Sequence, residues 1–535
     1  MKIIVTERIA DDGIEHLKKD GHEVDTKYGI SHEDLLEIIE NYDSIIVRSV
    51  TRINEELLNK GTKLKVVGRA GNGVDNIDLP ACTKRGIIVV NTPESNSMAA
   101  AELAVGLAYA IFRNIPQAHW AGKDKKDFRR NRFLGNELDQ KTVGVIGLGR
   151  IGSIVATKLK GSNMKAIAYD PYITDEKFRK LGVEKCETLE DLLRQADLIT
   201  IHTPKTAETV NMIDEEQIKL CKDGVRIVNA ARGGLVNEDA LYNGIKAGKI
   251  AAAALDVLNP EPNYDKKPEE QDYENKLFEL DNVIITPHLG ASTDEANYNV
   301  GTCVAELVAD ALRGDMVAAV NMPPMKNKEV GEMKPYVDLA ELLGKIYYQA
   351  EKDTVNKIEI IYSGELAEQE TKLLSLSALK GFLDVVVKEK VNYVNAELIA
   401  KNMGISLVES KSSTLEKYTN LITIKFTTKT KTLEVSGTVF AKEELRVVDF
   451  FGYKLVFDPT PYVLAIQNID QPGIIGQIGS ILGANDINIA AMQWSRKQGG
   501  EKAVAFVSVD CEVDNKVIDL LKNIKGVLKV TLLKF

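Results

Sequence analysis

The chain has 535 residues, 68 basic against 78 acidic, for a net charge of −10. That length implies three or four domains, and 44% hydrophobic beside 27% charged residues is the balance of a soluble globular protein, which argues against disorder. An acidic chain with no block of five or six Lys or Arg excludes a nucleic-acid footprint, and no apolar run approaches the roughly 20 residues that cross a bilayer, so neither nucleic acid nor membrane is an expected partner.

The start, MKIIVTERIADDG, enters a strand at once and has no signal-peptide pattern. Cys82, Cys186, Cys221, Cys303 and Cys511 are scattered singly. Neither a disulfide framework nor a metal site is expected, and a reducing cytoplasm fits. From Met1 to about Gly290 short apolar runs (KIIV, SIIVRS, LKVVGRAG, IIVVN, TVGVIGLG, KAIAYD, DLITIH, VRIVNA, AAALDV, NVIITPH) alternate with amphipathic stretches. Continuous apolar strands of this length predict a parallel sheet covered by helices on both faces, an α/β design. The run SMAAAELAVGLAYAIFRNI, about Ser97 to Ile115, is apolar nearly all round and predicts a helix buried between units. The basic stretch Gly122 to Arg132 (GKDKKDFRRNR) reads as a solvated charged loop.

Strand KTVGVIG runs into Gly147-Leu148-Gly149-Arg150-Ile151-Gly152, a helix follows, and the next strand ends at Asp170, 18 residues past Gly152. This is the full context of a dinucleotide fingerprint. Gly147 permits the tight turn, Gly149 lets the backbone approach a pyrophosphate, and Gly152 lets helix pack on strand, with the helix N–H groups facing the phosphates. Asp170 would accept from the ribose hydroxyls and repel a 2′-phosphate, which favours NAD over NADP.

Three polar motifs then follow strands: VNAARGGLVNE with Arg232, LDVLNPEP with Glu261, and ITPHLGAST with His288. Ligands bind at the carboxyl ends of parallel strands. Of the six histidines (His16, His22, His32, His119, His202 and His288), only His288 joins a strand end to a Gly/Ser/Thr-rich turn. Hydride loss from C2 of a 2-hydroxy acid requires a base for the hydroxyl proton, and histidine titrates in the right range. Glu261 would hold the other imidazole nitrogen, and Arg232 would grip the substrate carboxylate bidentately.

At Asn321 to Pro335 prolines, glycine and charges interrupt the pattern, as a linker would. Tyr336 to about Phe457 reads as an α+β unit with a hairpin in LITIKFTTKTKTLEVSGTVF. The last 75 or so residues run βαββαβ, the order of a ferredoxin-like sandwich.

GLGRIG with Asp170, ARGG, DVLNPEP and PHLGAST together resemble the D-isomer-specific 2-hydroxyacid dehydrogenases over roughly residues 1 to 320. The strings RSVT, GRAGNGVDNID and NTPESNSMAAAEL, with the long C-terminal extension, resemble the branch of that family acting on 3-phospho-D-glycerate at the entry to serine synthesis. The resemblance implies a Rossmann-type NAD domain (98–285) inserted in a flavodoxin-like substrate domain (1–97 and 286–320). Two α+β regulatory domains would follow, an intervening allosteric domain (325–455) and a ferredoxin-like ACT domain (460–535). It gives His288, Glu261 and Arg232 the acid/base, orienting and carboxylate-binding roles. Asp256 would meet the nicotinamide carboxamide, Thr203 and Pro204 would line the cofactor cleft, and Ala231 and Gly290 join Gly147, Gly149, Arg150, Ile151, Gly152 and Asp170 on the cofactor side. Arg48, Ser49, Arg69, Asn72, Gly73 and Asn96, cations and donors near strand ends and a helix start, would receive a substrate carrying both carboxylate and phosphate. An L-serine effector would meet Asn468, Asp470 and Asn488. Serine-inhibited relatives carry a His and two Asn in this motif, of which only Asn488 is kept, and Asp470 offers acceptors where an amide also offers donors. A homodimer or homotetramer is expected. The alternatives are another enzyme of the family, such as a hydroxypyruvate or glyoxylate reductase, or a non-enzymatic NAD-sensing regulator.

Overall fold

A computed structural model describes all residues except 263–265, 324–326, 389, 415–416, 442 and 497–500, and the side chains of 327–332. The first sheet contains β1 (Lys2–Val5), β2 (Glu23–Thr26), β3 (Ser44–Val47), β4 (Val66–Arg69) and β5 (Ile88–Asn91), all parallel in the order β2-β1-β3-β4-β5. That is a flavodoxin-like sheet. The helix Asp294–Arg313 returns from far along the chain to cover it, with Val304 and Val308 against Gly68. Its crossing with the helix Asp11–Lys19 is close enough that a Cβ on Gly13 would lie 2.5 Å from the Gly301 carbonyl oxygen.

The second sheet contains β6 (Thr142–Ile146), β7 (Lys165–Tyr169), β8 (Glu184–Lys185), β9 (Leu198–Ile201), β10 (Val225–Asn229), β11 (Ile250–Leu255) and β12 (Val283–Ile285). It is parallel in the order β12-β11-β10-β9-β6-β7-β8, which puts the reversal of strand order between β6 and β9. Ligand crevices open at such reversals. The helix Ser97–Arg113 packs Ala101, Ala104, Ala108, Ile111 and Phe112 into this sheet's core. It ends at Asn114 in the left-handed region (φ 52°), and a second helix, Ile115–Lys125, follows. The basic stretch from Gly122 therefore begins in a helix rather than in a loop, and His119 lies on the same helix. Past it, Asp127 gathers Arg129 and Arg132 while Phe128 stands 77% exposed. The two helices are bent by 65°, and among the described residues no single helix is long and apolar enough to cross a membrane.

The expected linker over 321–335 is shorter than its composition suggests. Residues 324–326 lie outside the described part, and a helix runs Asn327–Ala350 through Pro335. Proline costs that helix one hydrogen bond, but contact with the helix Lys372–Val386 holds it, so close that a Cβ on Gly344 would lie 2.1 Å from the Ala378 carbonyl oxygen. Both lie on a mixed sheet of β13 (Lys357–Gly364), β14 (Ser406–Ser412), β15 (Asn420–Thr427), β16 (Thr432–Phe440), β17 (Glu444–Phe450) and β18 (Tyr453–Phe457). β15 and β16 form the hairpin.

The last unit has β19 (Tyr462–Ile469), β20 (Ile489–Arg496), β21 (Lys502–Val509) and β22 (Val527–Lys534), antiparallel in the order β20-β21-β19-β22. Its helices Ile474–Ala484 and Asn515–Lys522 share one core with the sheet. Other side chains of that sheet, Val463, Ala465, Val504 and Phe506, belong to the core of the preceding unit, where Phe457 stacks on Phe506 at 4.5 Å. The two C-terminal units are thus joined by apolar packing.

Candidate active site

The fingerprint turn follows β6. Gly147 adopts φ 87°, and a Cβ there would lie 2.7 Å from the His202 carbonyl oxygen and 2.8 Å from Thr203 Cγ2, so the end of β9 lies against the turn. A Cβ on Gly152 would meet the Gly147 carbonyl oxygen at 2.0 Å, whereas one on Gly149 would meet nothing within 4 Å. The turn is therefore tight beneath and open above Gly149, as a pyrophosphate requires. Asp170, at the end of β7, accepts from the backbone N–H of Leu148 (2.8 Å) and of Tyr172 (3.0 Å). Its carboxylate is locked beside the turn, where ribose hydroxyls would meet it. These residues fit a dinucleotide. Ile151 packs on the buried helix core, and Arg150 pairs with Glu94 across the cleft at 3.1 Å. Pro204 is exposed beside Thr203 and accepts from Thr209 Oγ1.

Next to the fingerprint, His202 pairs its Nε2 with Thr200 Oγ1 at 2.8 Å, and burial pushes this imidazole down to about 4. It is a neutral structural histidine. His288 is different. It stands on the turn after β12 with φ 54°, a left-handed conformation rare for a residue with a side chain, and its Nδ1 lies 3.1 Å from Glu261 Oε2. Both side chains are more than a third exposed, so a ligand can reach them. Asp256 explains how the turn is held. It is 0% exposed, and its carboxylate accepts from Thr286 Oγ1 (2.6 Å), Leu289 N (2.8 Å) and Gly290 N (2.9 Å). The His288 N–H donates to the Asp256 carbonyl oxygen at 2.9 Å.

Arg232 sits on the turn after β10, which the buried Asn229 clamps by accepting from Ala231 N (3.1 Å) and donating to the Arg232 carbonyl oxygen (2.9 Å). Gly233 abuts the loop carrying Glu261, since its Cβ would lie 2.0 Å from the Leu258 carbonyl oxygen. In that loop Asn259 N donates to Glu238 Oε1 at 2.7 Å. The Arg232, Glu261 and His288 loops are contiguous at one edge of the sheet.

Arg232 also crosses to the first sheet's loops. Its Nε reaches the exposed Asp75 at 3.2 Å, and a Cβ on Gly73 would lie 2.0 Å from Nη2. On that side Arg69 is half-buried, donates Nη1 to the Ala70 carbonyl oxygen (2.6 Å), and keeps a buried Nε without a partner. Burial, with help from Arg232 and Arg48, lowers its guanidinium to about 10. Asn72 accepts from Asn91 Nδ2 through its carbonyl oxygen, and Asn96 opens the helix Ser97–Arg113 with a buried Oδ1 that has no partner. Arg48 leans on Asn297 Oδ1 at 2.9 Å, and Ser49 follows it in the loop after β3. The second sheet's loops thus carry the imidazole–carboxylate pair and Arg232 together, and Arg232 reaches across to the first sheet's loops, where Arg69 and Arg48 stand, the equipment to hold a multiply charged anion and move a proton.

Glu7, Asp75, Asn229 and Glu238 escaped the sequence reading. Only Asn229 left a signal, a polar residue closing an apolar strand.

The model for the NAD binding domain of D-isomer specific 2-hydroxyacid dehydrogenases matches residues 105–290. The D-3-phosphoglycerate dehydrogenase intervening domain matches 332–451, and the ACT domain 462–526. The D-3-phosphoglycerate dehydrogenase of Methanocaldococcus jannaschii is 44% identical over 534 residues, 100% of this chain and 99% of that protein. The chain belongs to the D-3-phosphoglycerate dehydrogenase family. The enzyme of that name from Archaeoglobus fulgidus is 40% identical, over 99% of each chain. Among solved structures, D-lactate dehydrogenase from Aquifex aeolicus, complexed with NAD and lactic acid, superposes with a TM-score of 0.52 at 30% identity, covering 58% of this chain and 96% of that one. As a family member the chain is an oxidoreductase that uses NAD.

In the ACT domain Asn468 is 0% exposed, donates to the Ile469 carbonyl oxygen and keeps Oδ1 without a partner. Asp470 is paired with Arg496 at 2.7 Å, and Asn488 donates to Asp510 at 2.7 Å. Asn468 aligns with Ala503 at one end of β21, while Asn488 lies next to Ile489, which aligns with Val509 at the other. Within one chain these three residues do not form one site.

Proposed function

We propose that this chain oxidises 3-phospho-D-glycerate to 3-phosphooxypyruvate with NAD, the first step of L-serine synthesis. The observation that carries the reading is the His288–Glu261 pair on a turn fixed by Asp256, on loops contiguous with that of Arg232, whose guanidinium reaches the first sheet's loops and is felt by Arg69. Residues 1–97 and 286–320 serve as the substrate domain, 98–285 as the cofactor domain, and 325–455 and 460–535 as regulatory domains. Gly147, Gly149, Arg150, Ile151, Gly152 and Asp170 hold the dinucleotide, with Thr203, Pro204, Ala231 and Gly290 along its cleft. Asp256, expected to meet the carboxamide, is wholly buried with its carboxylate taken by Thr286, Leu289 and Gly290, so it acts on the cleft through the turn it anchors. NAD, when bound, supplies the hydride acceptor.

The protein's own part is proton handling and orientation. Glu261 engages Nδ1 of His288, so the hydroxyl proton is taken at Nε2, and the carboxylate stabilises the imidazolium that results. Arg232 exchanges its exposed partner Asp75 for the substrate carboxylate, which orients C2 and polarises its oxygen. Arg48, Ser49, Arg69, Asn72, Gly73 and Asn96 receive the phosphate end, with the guanidiniums of Arg48 and Arg69 as its charged donors. Closure of the two domains excludes water.

We further read the assembly as a homodimer or homotetramer working in the cytoplasm, with L-serine as the ACT effector. Titrating serine while following sedimentation and rate tests this, and no change in either retires the effector. The substrate assignment is tested by a panel of D-2-hydroxy acids with NAD, read by absorbance of the reduced cofactor. 3-Phospho-D-glycerate is expected to give the highest kcat/KM. Preference for D-glycerate or glycolate would transfer the chain to the reductases of the family, and no turnover at all would make it an NAD-binding regulator.

A further inference from the structure

Glu7 follows β1, which lies next to β3 in the sheet. Its carboxylate accepts from four consecutive backbone N–H groups, those of Arg48 (2.8 Å) and Thr51 (3.0 Å) on Oε1 and those of Ser49 (3.0 Å) and Val50 (3.1 Å) on Oε2. Successive N–H groups converging on one point form an anion-binding nest. Here the protein fills its own nest. The loop is tied from two further directions: Asn76 Nδ2 donates to the carbonyl oxygens of Arg48 (3.0 Å) and Thr51 (2.6 Å), and Thr6 Oγ1 lies 2.8 Å from Thr51 Oγ1. The Glu7 charge is also felt by Arg69, for which it is the foremost group opposing the effect of burial.

An empty nest beside Arg48 would seat a phosphate on main-chain amides. With the four N–H groups of residues 48–51 taken by Glu7, what this loop can offer a ligand is side-chain donors, foremost the Arg48 guanidinium. We propose that Glu7 is a positioning residue for the substrate's phosphate: it occupies the main-chain nest of residues 48–51, so that Arg48 and Arg69 read the phosphate through their guanidiniums. This inference rests on the assignment of a phosphorylated substrate.

The isosteric change E7Q removes the charge and turns an NH2 toward two N–H donors, which releases at least half of the nest. In the full-length chain, KM for 3-phospho-D-glycerate and the inhibition constant of inorganic phosphate should each rise at least tenfold. kcat/KM for unphosphorylated D-glycerate should change less than threefold, with NAD affinity unchanged. E7D keeps the charge on a shorter stem and should lie between wild type and E7Q; should E7Q fail to fold, a rise of threefold or more in the phosphate constant of E7D carries the same test. Equal losses on both substrates would reduce Glu7 to a structural residue, and an unchanged or tighter phosphate constant in E7Q would make the nest itself the phosphate seat. Either overturns the proposal. Failure of the wild type to oxidise 3-phospho-D-glycerate would instead sink the substrate assignment, a separate result.

Discussion

Asp256→Asn tests whether the His288 turn is held by a buried charge. The native carboxylate takes three protein donors at 2.6 to 2.9 Å while wholly buried. Hydrogen bonds to charged groups contribute roughly 1.5 to 3 kcal/mol each. Asparagine keeps the shape, and its oxygen can serve Thr286 and Leu289, but its NH2 then points at the Gly290 N–H. One bond is lost and one buried donor is left opposed, a cost of about 2 to 4 kcal/mol. Part of that loss is relieved by relaxation of His288 from φ 54°, a conformation that costs about 1 to 2 kcal/mol. Relaxation moves the imidazole away from Glu261. If about 2 kcal/mol of the loss appears in the transition state, kcat falls on the order of thirtyfold. The assay pairs thermal unfolding with initial rates at saturating NAD: Tm should drop by several degrees and kcat should fall, with a smaller effect on the NAD KM. An unchanged Tm with only a raised NAD KM would mean that Asp256 serves the cofactor alone, and would refute the anchoring argument.

Other consequences follow from the same geometry. Arg48→Ala should weaken 3-phospho-D-glycerate at least tenfold more than D-glycerate in kcat/KM, and equal losses would contradict a phosphate contact. Gly152→Ala, whose methyl would stand 2.0 Å from the Gly147 carbonyl oxygen, should abolish NAD binding measured by fluorescence titration. His202 stays neutral in the fold down to about pH 4, whereas the unfolded chain protonates it near 6.5. Its contribution is therefore complete above pH 6.5 and fades as pH falls toward 4, by up to about 3 kcal/mol. Denaturant unfolding at pH 7 and pH 4.5 should give a smaller difference in His202→Gln than in wild type.

The elements and the loops that matter were legible because they obey local rules. Gly147, Gly149, Gly152 and Asp170 announce themselves by spacing, since each answers to one turn and one helix start. His288 and Arg232 are visible as polar residues where apolar strands end. What stayed hidden depends on which strands become neighbours. Glu7 looks like any surface acid until β1 and β3 adjoin, and Asp75 until the two sheets face each other. Asp256 was singled out for a cofactor contact, and its part as anchor shows only when the turn after β12 folds over β11. The helix through Pro335 was hidden for a related reason, because tertiary packing outweighed a local breaker. Asn468 and Asp470 lie at one end of the β19–β21 ladder and Asn488 at the far end of β21, a separation their shared motif does not reveal.

The central claim is that His288 takes the substrate's hydroxyl proton as the hydride leaves C2. Single-turnover reduction of NAD by 3-phospho-D-glycerate, compared between wild type and His288→Ala with matched NAD affinity, tests it most directly. The account predicts a rate at least roughly a hundredfold lower in the variant, the scale of general acid–base catalysis. A variant that reduces NAD at close to the wild-type rate would contradict it.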